Sequence, residues 1–548
     1  MERPWLRFWP QGVPTSIEYP EIPVHEQLKA SSSRYPNKVA TVFKGFEITY
    51  KELNELSDKL AAGLHDLGVR KGDRVALFLQ NSPQFIISFF GALKAGAIAV
   101  PCNHMLKERE LMYELTDSGA QTIITTEELS TIVDRIKSET GLRWVIVTSL
   151  SDYTPPLLTS VRGIKKGEKH HDTIDFVDFI SKHDANPPVC DKNPREDVAV
   201  LCYTGGTTGI PKGCMLTHYN LIVNQFRHAT WFGLKEGKEV SMIFVPMYHI
   251  MGLSECMCSA VGMAWKIVLL ERFHADEVTN AINEYRPTIF YGVPTVYISL
   301  LNYPDITKCD FSSIRLCLTA ASAMPFEIRL RWRNATGLSL MEGWGLTEAS
   351  PDLTYTPPGD MRPQFVGIPG PDTDVRVVDM ETGTPTLPYG ECGELIGRGP
   401  QIMKGYWNQP EMTKEVLKDG WLYTGDIGYM DKDGCVYFVD RKKDVIKVSG
   451  YQVWPFEIES VLIEHPAVEQ VAVTGVPDPY RGQHPKAFIV LRDAYTGKVT
   501  EDELIKFCRE RLAVYKTIRE VEFRRELPKS SAGKILRRTL REETFKKG

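Results

Sequence analysis

Leu201-Cys202-Tyr203-Thr204-Gly205-Gly206-Thr207-Thr208-Gly209-Ile210-Pro211-Lys212-Gly213 is the densest chemical signal in the chain. Small residues without bulky Cβ substituents let backbone N–H groups approach an anion closely. The hydroxyls of Thr204, Thr207 and Thr208 add donors, and Lys212 adds a positive charge. That combination suits phosphate. It is not a Walker A loop: neither Gly205 nor Gly206 has a glycine five positions on, and Gly213 stands where a magnesium-binding Ser/Thr would be needed. Taken alone, it could equally be a strand-to-helix turn.

Other candidates follow in order. In Met341-Glu342-Gly343-Trp344-Gly345-Leu346-Thr347-Glu348, an indole flanked by glycines offers a flat face for a purine. Glu348 supplies hard oxygen of the kind a divalent cation takes. Asp426 sits in Tyr423-Thr424-Gly425-Asp426, and a carboxylate there can accept both ribose hydroxyls. A charged run, Asp440-Arg441-Lys442-Lys443-Asp444, precedes Lys447 and Gly450. By itself such a run is a solvated linker. Lys534 lies in Ser530-Ser531-Ala532-Gly533-Lys534, a lysine on a glycine turn.

In this order, the motifs resemble those of the adenylate-forming superfamily: acyl-CoA synthetases, luciferases and peptide-synthetase adenylation domains. The fatty-acyl-CoA synthetases are nearest in pattern, and the resemblance spans nearly the whole chain. It implies ATP, Mg2+ and coenzyme A as the small-molecule partners of a carboxylic acid, with catalytic roles for Lys534, Thr347, Glu348 and Lys212. Glu348 would hold the metal. Ser322, in Thr319 to Pro325, fits a purine-side segment, and Trp344, Gly345, Thr347, Asp426 and Arg441 complete the nucleotide site. Lys443 would be the hinge. Lys447 and Gly450 would serve the thioester-forming conformation. His249, in Pro246 to Gly252, would lie by the carboxylate, and Val293, in the apolar stretch Tyr291 to Tyr297, would line the acyl pocket. The chain departs from the family at Ala320-Ala321, where glycine is usual, and at Leu253, where some bacterial long-chain enzymes place a gating tryptophan. The resemblance also admits an aryl-CoA ligase. A modular amino-acid-activating domain is disfavoured, since no carrier domain is expected after residue 548. A non-catalytic nucleotide sensor would have no need of Lys534.

These residues need elements to hold them. Thr49 and Glu52 form a capping box ahead of a helix with Leu53, Leu56, Leu60, Leu64 and Leu67 on one face. Arg74 to Leu79, Ala97 to Val100, Gln121 to Thr125 and Trp144 to Val147 read as strands between helices, the alternation of parallel sheets covered on both faces. Ser151 to Glu196 reads as a polar surface excursion with one short helix near Phe176 to Ile180. Glycine, proline and short strands from Pro357 to Val439 predict a β-rich subdomain. The expected fold is α/β: residues 1–440 as an N-terminal domain of two α/β subdomains and a β-rich third, and residues 441–548 as a small mobile α+β domain.

Composition bounds this reading. The chain has 548 residues, 43% hydrophobic and 25% charged, with a net charge of −5. A chain of that length needs more than one core, and mild acidity disfavours general nucleic-acid binding. The 11 cysteines show no CxxC, so neither a zinc ribbon nor a thioredoxin-like site is expected, and scattered thiols fit a reducing, cytoplasmic setting. No signal peptide is read. Phe85 to Val100 carries Lys94, and Phe244 to Leu270 carries His249, Glu255 and Lys266, so no spanning helix is expected, although attachment to a membrane surface is compatible. Oligomeric state is left open, a homodimer included. The last 48 residues hold 14 Lys and Arg against 9 Asp and Glu, a basic end on an acidic chain.

Overall fold

The computed structural model describes residues 3–155, 172–204, 210–530 and 533–547. The capping box forms as the spacing predicts. Glu52 N–H donates to Thr49 Oγ1 at 3.2 Å, and Thr49 N–H donates to Glu52 Oε2 at 2.8 Å. The helix Tyr50–Asp66 that follows packs its leucine face on the helix Pro83–Lys94. Contact is close because Gly91 has no side chain: a Cβ there would lie 2.7 Å from Leu60 Cδ2. Lys94 is buried, 2.6 Å from Asp58. Its partner makes that burial tolerable, and removing either member would cost about 3–5 kcal/mol.

Three sheets organise the chain. The first runs through Ile98–Pro101, Arg74–Phe78, Thr122–Thr126 and Trp144–Thr148 as parallel strands. Its other side carries the antiparallel hairpin Val198–Thr204 and Lys212–Thr217, with Gly405–Tyr406 at the edge. The second has a parallel core of Val39–Phe43, Lys266–Leu269, Val240–Ile243, Ile289–Gly292, Leu316–Thr319 and Met341–Gly345. The strands predicted as a separate β-rich unit continue this sheet. Asp352–Tyr355 turns back antiparallel on Met341–Gly345 and is followed across the sheet by Phe365–Pro369, Val436–Arg441, Trp421–Met430, Gly393–Arg398 and Asp374–Val378. The ladder propagates because each exposed edge of N–H and C=O groups is satisfied by the next strand.

After Arg441 the turn Lys442–Asp444 leads to a third, five-stranded sheet of Ile446–Val448, Tyr451–Val453, Val468–Asp478, Gly482–Leu491 and Glu520–Phe523. Helices Pro455–Leu462 and Glu501–Arg509 belong to this part. The chain is thus α/β, with a large N-terminal and a small C-terminal domain. All 11 cysteines are free thiols. No described helix is long and apolar enough to cross a membrane.

Candidate active site

The phosphate-type loop caps the hairpin, whose last paired residues are Thr204 and Lys212. Gly205, Gly206, Thr207, Thr208 and Gly209 lie outside the described residues. Lys212 is buried, and its ammonium sits 5.0 Å from the centroid of the Tyr406 ring. The Tyr406 hydroxyl donates to Glu348 Oε1 at 2.6 Å. Burial, then the Glu348 charge, drives the phenol pKa up, so it stays a donor. Backbone bonds stitch these pieces together: Trp407 N–H donates to the Gly213 carbonyl at 2.8 Å, and Met403 N–H donates to the Glu348 carbonyl at 2.8 Å. Lys212 and Glu348 therefore meet across Tyr406. Nothing in the sequence marks Tyr406, because it comes from a distant edge strand.

Thr347 and Glu348 occupy the turn Thr347–Ala349 at the end of Met341–Gly345. Gly345 is forced to be glycine: a Cβ would lie 2.0 Å from the Pro351 carbonyl oxygen. Trp344 does not offer an open face. It is 4% exposed, and its indole N–H donates to Asp426 Oδ2 at 2.9 Å. The indole N–H thereby orients Asp426. The other oxygen, Asp426 Oδ1, is 3.2 Å from Arg441 Nε, its direct cross-strand neighbour. Glu394 braces the same corner, accepting from Gly425 N–H at 3.0 Å and from Lys442 Nζ at 3.0 Å.

His249 begins the segment that runs into the π-helical stretch Met251–Cys258, a form common at functional sites. Gly252 makes the turn possible, since a Cβ would meet the Pro246 carbonyl oxygen at 2.2 Å. Met251 N–H points at His249 Nδ1 at 3.4 Å, which leaves Nε2 as the protonated nitrogen in that tautomer. Burial, then the nearby Lys534 charge, lowers the imidazole pKa to about 4, so the ring is neutral near pH 7.

Lys534 arrives from the other domain. Ser530 Oγ accepts from Lys534 N–H at 3.1 Å, and Thr295 Oγ1 donates to the Gly533 carbonyl at 3.2 Å. A Cβ on Gly533 would lie 2.7 Å from Thr295 Oγ1 and 3.1 Å from Val293 Cγ2. The glycine turn is thus pressed on the strand end that carries Val293. Lys534 feels Arg441 most, then its own burial, then Arg537 and Lys443, against the pull of Asp426, and its pKa falls to about 7.

Ser322 is half-buried after the strand Leu316–Thr319. Its neighbour Ala321 has φ +71, a left-handed conformation that costs a side-chain-bearing residue about 1 kcal/mol. Lys447 and Gly450 are exposed, on and beside the hairpin Ile446–Val448/Tyr451–Val453. They are not gathered with Lys534, His249 and Asp426. Arg537, which the motifs did not single out, holds Glu459 at 2.5 Å, Asp440 at 3.4 Å and Asp444 at 3.6 Å, fastening the Lys534 turn to the connection between domains.

The fold and the crevice together define a two-domain nucleotide-dependent ligase of the adenylate-forming class. The AMP-binding enzyme family matches residues 28–407, and the AMP-binding enzyme C-terminal domain matches 457–534. A long-chain-fatty-acid–CoA ligase of Bacillus subtilis (strain 168) is 41% identical over 99% of this chain and 98% of its own length. One from Salmonella typhimurium is 38% identical over 99% and 98%. Among solved structures, the anthranilate CoA ligase AuaEII in complex with anthranoyl-AMP aligns with a TM-score of 0.86 at 30% identity, over 95% of this chain and 97% of that one. The chain belongs to the AMP-binding enzyme family.

Proposed function

We propose that the protein is a fatty-acid–CoA ligase for medium- to long-chain acids. The observation that carries the reading is the delivery of Lys534 from the small domain into a crevice bounded by His249, Val293 and the Asp426–Arg441 pair. A carboxylate oxygen of the acid attacks the α-phosphorus of ATP. The bond from that phosphorus to the bridging oxygen of pyrophosphate breaks, and acyl-AMP remains. A carboxylate needs no base at pH 7, which agrees with a neutral His249 acting as hydrogen-bond donor. Asp426, fixed by Trp344 and Arg441, fits ribose hydroxyls. Lys212 and the loop at 205–209 fit the outer phosphates, and Ser322 the purine side. Lys534 bridges carboxylate and α-phosphate as negative charge gathers on phosphorus.

Glu348 fits Mg2+: one oxygen accepts from Tyr406 and the other is left for a hard cation. Bound with ATP, the metal would offset triphosphate charge. In the second half-reaction the thiol of coenzyme A attacks the acyl carbonyl, loses its proton, and AMP departs. The small domain, residues 441–548, would pivot at Lys443, withdrawing Lys534 and bringing Lys447 and Gly450 to the crevice. Free thiols suit a cytoplasmic setting.

An aryl-acid ligase is the second reading, favoured by the likeness to an anthranilate enzyme. Pyrophosphate and AMP release over a panel of octanoate, palmitate, benzoate and cinnamate tests both. Aliphatic acids are expected to lead; release of ADP, or of nothing, would reject a ligase of this class.

A pH profile follows from Lys534. Only its ammonium form neutralises phosphate. Because its pKa is lowered to about 7 in the free protein, kcat/KM for ATP in adenylation should fall above about pH 7, approaching tenfold per unit. The kcat for the same step should hold to higher pH, since bound phosphate favours the ammonium. Stopped-flow adenylation between pH 6 and 9 reads both, and a flat kcat/KM would remove Lys534 from the charge-neutralising role.

A further inference from the structure

Two side chains of the helix Glu108–Ser118 reach the feet of the phosphate-type loop. Tyr113 and Asp117 stand four residues apart, so they project from one face of the helix. The Tyr113 hydroxyl donates to the Pro211 carbonyl at 2.9 Å, one residue before Lys212. The Tyr203 hydroxyl donates to Asp117 Oδ2 at 2.6 Å, one residue before Thr204. Burial, then the Asp117 hydrogen bond, pushes the Tyr203 phenol pKa far up, so it stays a donor. Thr204 and Lys212 are the last pair of the hairpin, and the loop leaves from them. One helix face therefore holds both strands where the loop begins and ends.

Asp117 also closes a circuit. Its carbonyl is among the last four of the helix, which have no intrahelical partner. It accepts from the Trp407 indole N–H at 3.1 Å and from Asn408 Nδ2 at 3.2 Å. The Trp407 backbone N–H donates to the Gly213 carbonyl, and Gly213 is the cross-strand partner of Tyr203. A Cβ on Gly213 would lie 3.2 Å from Tyr203 Cζ and 3.3 Å from Trp407 Cβ, so glycine lets these segments close up. Tyr406, next to Trp407, carries the hydroxyl that donates to Glu348. The circuit thus joins both strands of the loop to the edge strand that serves the candidate metal ligand. A carboxylate in a last helical turn opposes the helix dipole, so the helix by itself gives no reason for Asp117.

We propose that Tyr113 and Asp117 are positioning residues for the triphosphate of MgATP, acting through Pro211, Tyr203 and Trp407. They pin the two ends of the loop, and with them Lys212 and the Tyr406–Glu348 pair. Glycine leaves a backbone many conformations, so the fit of a glycine-rich loop to phosphate is set by where its ends are held. The inference rests on the ligase reading above, in which this loop takes the outer phosphates.

The test uses full-length variants and reads the two half-reactions separately. Tyr113→Phe removes one neutral hydrogen bond and should raise KM for MgATP in adenylation by about 2- to 10-fold. Asp117→Ala takes the acceptor from Tyr203 and should raise it by about 10- to 100-fold. Asp117→Asn keeps an acceptor oxygen and should recover most of that loss. Thioester formation from supplied acyl-AMP involves no outer phosphates, so it should stay near the parent rate in all three. A brace that serves only the fold would lower both half-reactions together. Equal loss in both, or an unmoved KM for MgATP in Tyr113→Phe and Asp117→Ala, would overturn the inference and leave the ligase reading standing. If Asp117→Ala does not fold, Tyr113→Phe decides alone. Absence of acid-dependent pyrophosphate release from the parent enzyme would overturn the ligase reading, and this inference with it.

Discussion

Lys534→Ala is expected to lower acyl-adenylate formation by about 10²- to 10³-fold, the usual loss when one preorganised donor to a developing oxyanion is removed. Thioester formation from supplied acyl-AMP should stay within a few-fold of the parent. The asymmetry has a geometric origin. The Gly533 turn that carries Lys534 rests on Thr295 and Val293, and Arg441, then burial, with Arg537 and Lys443, lower the Lys534 pKa to about 7 against the pull of Asp426. A nucleotide phosphate would supply a further anion. No other described lysine holds this position: Lys212 is occupied at Tyr406 and Lys443 lies in the connecting turn. Single-turnover adenylation with labelled ATP, and release of AMP from purified acyl-AMP plus coenzyme A, separate the two half-reactions. Equal loss in both would mean that Lys534 supports the fold or both chemistries, and the division of labour proposed here would fall.

Lys443→Pro carries the second large effect, in the opposite half-reaction. Lys443 is the middle residue of the turn Lys442–Asp444 that joins the last strand of the large domain to the first of the small one. A 3₁₀ turn already uses a φ near that of proline. The ring would therefore hold the present arrangement and oppose the backbone rotation a second conformation needs, at some cost to Lys442, which precedes it. Adenylation should persist within about tenfold, while thioester formation should drop by about 10²-fold or more. The Arg537 contacts to Asp440, Asp444 and Glu459 bear on the same joint. They fix the Lys534 turn relative to residue 440, so a rotation at 443 moves Asp444, Glu459 and Arg537 past Asp440. Unchanged overall turnover in Lys443→Pro would remove the pivot from this position.

Much of the molecule was legible from residue order. The Thr49–Glu52 capping box, the leucine stripe and the strand-helix alternation are local signals, set by spacings of three, four and two residues. The motif containing Lys534 could be read for the same reason, as could Asp426 and Arg441. The β-rich region was legible as strands but not as part of an existing sheet, because strand propensity says nothing about which open edge a strand will join. Trp344 shows the same limit. Its glycine neighbours suggested an exposed face, and only the approach of Asp426 from 82 residues away turned the ring into a buried donor.

The sequence by itself thus determined the chemistry available to this protein: phosphate-binding backbone, a hard carboxylate, a ribose-type carboxylate, and a mobile-type lysine on a glycine turn, in one order along one chain. Only the tertiary structure decided which of these meet. It placed Tyr406 between Lys212 and Glu348, pressed Gly533 on Thr295 and Val293, left Lys447 and Gly450 exposed, and gathered Glu255, Asp352 and His228 in the interior. The physical reason is that local propensity acts over a few residues, whereas burial, charge and hydrogen-bond satisfaction depend on neighbours that the chain brings together only by folding.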